Sequence, residues 1–222
     1  MMRPMPPQRP DAVLFDNDGL LLDTESVWTR AEQDMFDAYG YEFTAEHKVE
    51  LIGKSGATAS KLLEGWLEQE GRGVELMAEL DQMVVGELEH GVEAMVGARD
   101  LLERLQAQGT PIGLVSNSPL PFVERSLAIV GFEAIFDTIV SGHEVAEPKP
   151  APDPYLEACR RIGVEPGPSV IALEDSPTGV AAARAAGLTV IGVPSVDGIE
   201  LAEAHHIAAS LLDETVVGLT IV

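Results

Sequence analysis

The feature that most constrains the fold is a short apolar run that ends in two carboxylates. Residues 12–15 read Ala-Val-Leu-Phe, and Asp16, Asp18 and Gly19 follow. A short, continuous apolar run is typical of a buried parallel strand, which delivers the residues after it to the C-terminal edge of a sheet. Ligands bind at that edge in open α/β sheets, and buried charge is costly without a partner. The two acids therefore predict a site.

After these acids the pattern becomes helical as far as residue 95. Apolar residues recur at helix spacing in four segments, and we find no strand pattern between residues 24 and 95. Trp28 and Trp66 fall at this spacing, which predicts helix core; the alternative is that Trp28 lines a substrate pocket. A helical block this small must dock on another surface to bury its apolar faces. It begins close to the acids, so we expect it to cover the sheet edge as a lid.

Strand and helix patterns alternate from residue 97 onward, which predicts a parallel sheet with right-handed crossovers. The strands are predicted at 112–116, 135–140, 170–173 and 189–193, and a short helix is predicted at 199–204. The predicted fold is α/β: a doubly wound, Rossmann-like parallel sheet core with an inserted all-helical cap domain. The predicted divisions are a loose leader at 1–10, the core at 11–23 and 96–222, and the cap at 24–95.

The composition limits the possible partners. The chain has 14 Lys and Arg against 37 Asp and Glu, a net charge of −23, which disfavours nucleic acid and anionic membranes. An anionic substrate would then need a local counter-charge, such as a divalent cation. The only cysteine, Cys159, leaves no intrachain disulfide and no cysteine metal site. With no bilayer-length apolar run and no signal-peptide pattern, we expect a cytoplasmic protein, and nothing demands more than a monomer.

Polar side chains gather at the expected C-terminal edge of the sheet. They are Asp16, Asp18, Ser116, Asn117, Lys149, Glu174 and Asp175. Together they suffice for phosphoryl transfer, because carboxylates bind Mg²⁺ and serve as nucleophile or general acid and base, while hydroxyl, amide and ammonium groups hold the transferring oxygens. Each motif alone has a simpler explanation as a turn, a calcium-like loop, a helix start or a solvated loop lysine. Their joint occurrence, in this order, favours a catalytic site.

These motifs resemble those of the haloacid dehalogenase superfamily, in the branch of phosphatases and β-phosphoglucomutases with a small α-helical cap. The resemblance rests on residues 16–25, 115–118, 149–153 and 173–179. It implies that Asp16 is the nucleophile and Asp18 the general acid and base. It also implies that Mg²⁺ is held by the Asp16 carboxylate, the Asp18 main-chain carbonyl and Asp175, with Glu174 nearby.

The same resemblance implies that Ser116, Asn117 and Lys149 hold the phosphoryl group. Asp18 further indicates phosphate ester chemistry, because an alkoxide leaving group needs a proton. The chain departs from β-phosphoglucomutases in two places. Trp28 stands where those enzymes have a histidine, and their Gly-x-Ser-Arg motif is replaced at 53–56 by Gly-Lys-Ser-Gly.

Both departures favour hydrolysis over a mutase cycle. The predicted function is a Mg²⁺-dependent phosphatase acting on a small phosphorylated metabolite, a sugar phosphate or related polyol. Lys54 and Ser55 of the cap are expected to supply selectivity, although Lys54 is equally explained as a loop lysine. The alternatives are a β-phosphoglucomutase-like mutase, a phospho-receiver module and a catalytically idle binding protein; a receiver has no need of the helical insert.

Overall fold

The computed structural model describes residues 9–51, 54, 56–195 and 198–220, and within them a parallel sheet forms the centre of the protein. Its strands are β1 Ala12–Phe15, β2 Ile112–Ser116, β3 Thr138–Ser141, β4 Val170–Glu174, β5 Thr189–Gly192 and β6 His206–Ile207. Their order across the sheet is β3-β2-β1-β4-β5-β6. The chain thus builds outward on one side of β1 and then on the other, which confirms the predicted doubly wound α/β class.

Nine α-helices are present among the described residues. They are α1 Glu25–Tyr39, α2 Ala45–Leu51, α3 Gly56–Trp66, α4 Gly73–Glu87, α5 Ala98–Ala107, α6 Leu120–Val130, α7 Asp153–Ile162, α8 Pro177–Ala185 and α9 Glu214–Val217. Short 3₁₀ turns occupy residues 88–90, 142–144 and 218–220. None of the described helices has the length and apolar character needed to cross a membrane.

The strand β1 is apolar along its whole length because both faces of the sheet are covered. Val13 and Phe15 belong to a core cluster that includes residues of α1, α3, α4, α5, α6 and α9. Ala12 and Leu14 point to the opposite face and pack in a second cluster with residues of α7 and α8. This two-sided burial is the physical reason for the uninterrupted apolar run in the sequence.

The four helices α1 to α4 lie between β1 and β2 in the chain and form a helical insert, residues 25–87. α4 contacts α1 and α3 within the insert and contacts α6 of the core. The insert shares one hydrophobic cluster with the sheet, since Phe36 and Leu80 belong to the same cluster as Phe15. The four predicted helices are therefore present, while the predicted domain limits stay a prediction. Residues 1–8 of the predicted leader lie outside the described residues.

Two predictions of secondary structure were wrong. The helix predicted at 199–204 is absent, since those residues form irregular structure with a turn at 202–203, and the predicted strand 135–140 begins only at Thr138. The sequence also gave no sign of β6, which consists of His206 and Ile207 alone and pairs with β5. Two residues are too few to establish a periodic pattern, so only the pairing partner defines this edge strand.

We expect replacement of Phe36 by alanine to lower the free energy of unfolding by about 3–5 kcal/mol, because the substitution leaves a cavity in the insert. The ring is fully buried and contacts Phe43 and Trp66. Chemical denaturation provides the measurement. Val49→Ala is the control: its side chain is 73% exposed, so its effect should stay within about 0.5 kcal/mol. A loss below about 1 kcal/mol for Phe36→Ala would contradict a tightly packed insert.

Candidate active site

The ends of three adjacent strands meet at a buried lysine. Lys149 Nζ lies 2.6 Å from Asp16 Oδ1, which follows β1, and 2.6 Å from Glu174 Oε1, at the end of β4. The same ammonium donates to the carbonyl of Val115 in β2 at 2.7 Å. An ammonium has three N–H donors, so all three are used. Lys149, which the sequence resemblance assigns to the site, is 3% exposed, so it is not the solvated loop lysine that its motif alone could also indicate, and it links the central strands.

Asn117 fixes the loop that carries this lysine. Its Nδ2 donates to the carbonyl of Lys149 at 3.0 Å, and its Oδ1 accepts from the Lys149 N–H at 3.0 Å. This pair of bonds fastens the loop to the end of β2. Asn117 also lines the cavity beside Asp16.

Hydroxyl groups surround the carboxylate of Asp18. Ser116 Oγ and Ser118 Oγ donate to Asp18 Oδ2 at 2.7 and 2.8 Å, and Thr24 Oγ1 donates to Oδ1 at 2.8 Å. Ser116 is fully buried, and the described lining of the cavity includes Ser118 but not Ser116. In this geometry Ser116 contacts Asp18 directly, and Ser118 is the hydroxyl that reaches the cavity.

Sequence reasoning did not name Thr24 and Ser118 as site residues, because a hydroxyl residue just before a helix is typical of an N-cap. Thr24 precedes α1 but makes no side-chain capping bond, and the N-cap of α6 is Pro119, not Ser118. The available signal was that both residues lie within segments 16–25 and 115–118, which carry the family resemblance. A hydroxyl that precedes a helix normally caps it, so the tertiary contact with Asp18 overrides a sound local expectation.

Three buried carboxylates form a cluster that could hold a cation. Oxygen atoms of Asp16, Glu174 and Asp175 lie within 4.8 Å of one another. Glu174 Oε1 accepts from Lys149 and from the hydroxyl of Tyr155, whereas the buried Glu174 Oε2 has no hydrogen-bond partner in the described chain. Asp175 Oδ2 accepts from Ser195 Oγ at 2.6 Å. A buried carboxylate oxygen left without a donor is costly and suits a metal ligand.

Two glycines allow the backbone to approach this cluster. A Cβ on Gly179 would lie 1.9 Å from Glu174 Oε2, and a Cβ on Gly19 would lie 2.3 Å from Asp175 Oδ2. Gly19 also adopts a φ of +81°, which favours glycine. The Asp-x-Asp-Gly turn and the start of α8 are thus packed against the carboxylates at distances that no side chain permits.

The electrostatic balance of the cluster favours a divalent cation. Burial raises the pKa of Asp16 well above its usual value, although Lys149 acts in the opposite direction. Burial and then Glu174 raise the pKa of Asp175 to about 8. Burial lowers the pKa of the Lys149 ammonium, but Asp16 and Glu174 outweigh it and the net effect is an increase. Three carboxylates face one ammonium, so a doubly charged cation with oxygen ligands would balance the ionised cluster.

A cavity of about 180 Å³ connects the acids with the helical insert. Asp16 and Asp18 line it from the sheet, and Trp28 and Lys54 line it from the insert. Trp28 satisfies both sequence interpretations, since it packs on Phe122 with ring centroids 5.7 Å apart and also lines the cavity. Lys54 is exposed, and Ser55, the other predicted selectivity residue, lies outside the described residues.

Sequence comparison relates the chain to a family of hydrolases. The family model described as haloacid dehalogenase-like hydrolase matches residues 13–193. Hexitol phosphatase B of Escherichia coli K12 is 31% identical over 188 residues, covering 83% of each chain. The mitochondrial (DL)-glycerol-3-phosphatase 1 of Arabidopsis thaliana is 33% identical over 214 residues, covering 90% of this chain and 70% of the relative.

Solved structures of other proteins share the fold of this chain. CbbY from Rhodobacter sphaeroides in complex with phosphate superposes with a TM-score of 0.82 at 29% identity, covering 96% of this chain and all of that one. A β-phosphoglucomutase from Clostridium difficile has a TM-score of 0.76 at 23% identity, covering 90% of this chain and 91% of that one. The second likeness concerns the fold alone.

We expect Mg²⁺ to raise the melting temperature more at about pH 8.5 than at about pH 6, because a carboxylate must lose its proton to bind metal. The pKa of Asp175, raised to about 8, sets this window. A raised carboxyl pKa means that the folded, metal-free chain loses stability as pH rises through the same window, and the cation offsets that loss. Thermal scans with MgCl₂, against NaCl at equal ionic strength, provide the measurement.

Asp175→Asn is the matched variant for this experiment. It removes one titrating group and its charge from the cluster, so the stabilisation by Mg²⁺ should shrink and depend less on pH than in the unsubstituted chain. Equal Mg²⁺ shifts at both pH values in the unsubstituted chain would contradict the assignment of Asp175 to the cation site.

Proposed function

Because the chain belongs to the haloacid dehalogenase-like hydrolases, we propose that it is a Mg²⁺-dependent phosphatase of a small phosphorylated metabolite, a sugar phosphate or related polyol phosphate. One observation carries the proposal: Asp16 and Asp18 line the same cavity, next to a buried lysine and a cluster that fits a divalent cation. Phosphatases acting on small phosphorylated metabolites are among its relatives, and two are named for hexitol and glycerol 3-phosphate substrates. The chain is accordingly a phosphoric monoester hydrolase.

In the proposed mechanism Asp16 is the nucleophile. Its carboxylate attacks phosphorus in line, so an O–P bond forms to Asp16 while the ester P–O bond breaks. Asp18 gives a proton to the departing alkoxide. It then takes a proton from the water that hydrolyses the aspartyl-phosphate, which releases phosphate and restores Asp16. The hydroxyls of Thr24, Ser116 and Ser118 orient Asp18 for both transfers.

In the proposed site, Lys149 and the cation bring positive charge close to the anionic phosphoryl group. Lys149 and Asn117 are proposed to contact the phosphoryl oxygens. All three N–H groups of Lys149 have protein acceptors in this structure, so the contact requires one of them to turn from its present acceptor to the phosphoryl group, while the Ser118 hydroxyl stays on Asp18. We assign Mg²⁺ to the carboxylates of Asp16 and Asp175 and to the main-chain carbonyl of Asp18. Glu174 lies beside them. When bound, Mg²⁺ supplies positive charge that reduces repulsion between the anionic nucleophile and the phosphoryl group.

We expect Asp16→Asn to abolish turnover, with a loss of at least about 10³-fold in kcat, because an amide cannot replace the carboxylate nucleophile. The measurement is Mg²⁺-dependent release of nitrophenol from 4-nitrophenyl phosphate, with and without a chelator. The variant should keep its far-ultraviolet circular dichroism spectrum, since the substitution preserves side-chain shape. Substantial Mg²⁺-dependent activity in Asp16→Asn would rule out the covalent mechanism.

A phosphosugar mutase is the second candidate, because the motifs of the chain resemble those of a branch that also contains β-phosphoglucomutases. Trp28, which lines the cavity, stands where the mutases have a histidine, and this difference supports hydrolysis. With β-glucose 1-phosphate and a trace of the bisphosphate, we expect free phosphate as the product. Accumulation of glucose 6-phosphate, followed by a coupled dehydrogenase, would favour the mutase instead.

A further inference from the structure

The wall of the cavity that faces Asp16 and Asp18 contains a group of three charged side chains. Glu25 and Glu32 are seven residues apart on α1, which places them on the same face two turns apart. Lys48 of α2 lies between them, with its Nζ 2.9 Å from Glu25 Oε2 and 3.0 Å from Glu32 Oε2. All three line the cavity.

Packing alone does not account for these charges. Glu32 is 4% exposed, and burial raises its pKa to about 7 although Lys48 opposes the shift. A link between α1 and α2 could be made by apolar side chains of similar volume, because replacing a buried ion pair in this way is commonly neutral or stabilising. Charged groups kept in a cavity next to the reacting carboxylates indicate contact with a ligand.

The group has hydrogen-bonding capacity that the described protein atoms do not use. Among the described residues, Lys48 Nζ makes one hydrogen bond, to Glu32 Oε2, and its contact with Glu25 is an ion pair without hydrogen-bond geometry. Within the described chain, no donor bonds to Oε1 of either glutamate. The cavity wall therefore offers carboxylate acceptors and an ammonium donor side by side, which matches neighbouring hydroxyl groups that both donate and accept.

We propose that Glu25, Glu32 and Lys48 form a subsite for the hydroxyl groups of the leaving group, so that the preferred substrates are monophosphates of uncharged polyols. This inference rests on the phosphatase function proposed above and specifies its substrate class. The ring of Trp28 and the side chain of Leu51 line the same cavity and offer apolar surface to the C–H groups of a polyol.

The charges of the insert also disfavour a second anionic group on the substrate. Three of its carboxylates line the cavity, those of Glu25, Glu32 and Asp81, against the ammonium groups of Lys48 and Lys54. Lys48 is already paired with two of the carboxylates, and Lys54 is exposed. A second phosphate or a carboxylate on the leaving group would therefore meet the carboxylate of Asp81 and those of Glu25 and Glu32, whose nearest cation is already paired with them.

The experiment compares three kinds of substrate with the full chain and Mg²⁺. Glycerol, ribitol and sorbitol monophosphates represent uncharged polyols, phosphoglycolate carries an anionic leaving group, and 4-nitrophenyl phosphate has no hydroxyls. We expect the unsubstituted chain to prefer at least one polyol phosphate to phosphoglycolate. Lys48→Met and Glu32→Gln should each raise KM for that polyol phosphate about tenfold, with kcat within about threefold and 4-nitrophenyl phosphate kinetics within about twofold.

Lys61→Met and Glu50→Gln are matched controls, because both positions are exposed on the insert and neither is in the described lining of the cavity. They should leave all constants unchanged. Glu32→Gln preserves the shape of the side chain and removes its charge, so it keeps the test informative if Lys48→Met folds poorly. The melting temperature of each variant shows whether it folds.

Two results would overturn the subsite. One is that Glu32→Gln changes KM equally for the polyol phosphate and for 4-nitrophenyl phosphate, which indicates a structural role, or changes KM for neither substrate. The other is a preference of the unsubstituted chain for phosphoglycolate over every polyol phosphate. A failure of the proposed function is recognised differently: the unsubstituted chain would show no Mg²⁺-dependent hydrolysis of 4-nitrophenyl phosphate. That result would also overturn the subsite, because the subsite rests on the phosphatase function.

Discussion

The site depends on one buried ammonium. Lys149 holds together Asp16 after β1, the carbonyl of Val115 in β2 and Glu174 at the end of β4. Without it three carboxylates would be buried with no neighbouring cation, which proteins avoid by protonating or expelling the group. Even with it the cluster keeps an excess of negative charge. Burial, and after it the neighbouring charge of Glu174, raises the pKa of Asp175, and the excess of negative charge accounts for the fit to a divalent cation.

The helical insert is connected to the site by two kinds of contact. Its apolar residues belong to the same cluster as β1, so the insert is packed on the core rather than attached by a linker. At its start, Thr24 precedes α1 and its hydroxyl holds Asp18. The position of the insert and the orientation of the proposed proton donor are therefore linked through a single side chain. The same helix carries Glu25 and Glu32 into the cavity, so α1 connects the proposed proton donor with the proposed polyol subsite.

Local patterns predicted most of the fold correctly. β1 lies at Ala12–Phe15, as the apolar run predicted, and four helices follow it before β2. These segments have the length and periodicity that burial imposes on a chain. The errors occur where local pattern and tertiary context disagree. β6 exists because β5 offers it a partner, and residues 199–204 are irregular although their sequence suits a helix. Thr24 and Ser118 bond to Asp18, although a hydroxyl residue before a helix usually caps it.

The sequence by itself determined the fold class, the family resemblance and the acids at the sheet edge, because strand length, apolar periodicity and motif spacing are local properties. Only the tertiary structure decided which groups meet. Lys149 is 133 residues from Asp16 in the chain, yet strand order brings their charged atoms to 2.6 Å. The pairing of Lys48 with Glu32 likewise depends on how α2 packs against α1. A carboxylate at a helix position is ordinarily solvated, and only the packing around it makes Glu32 a buried group in the lining of the cavity.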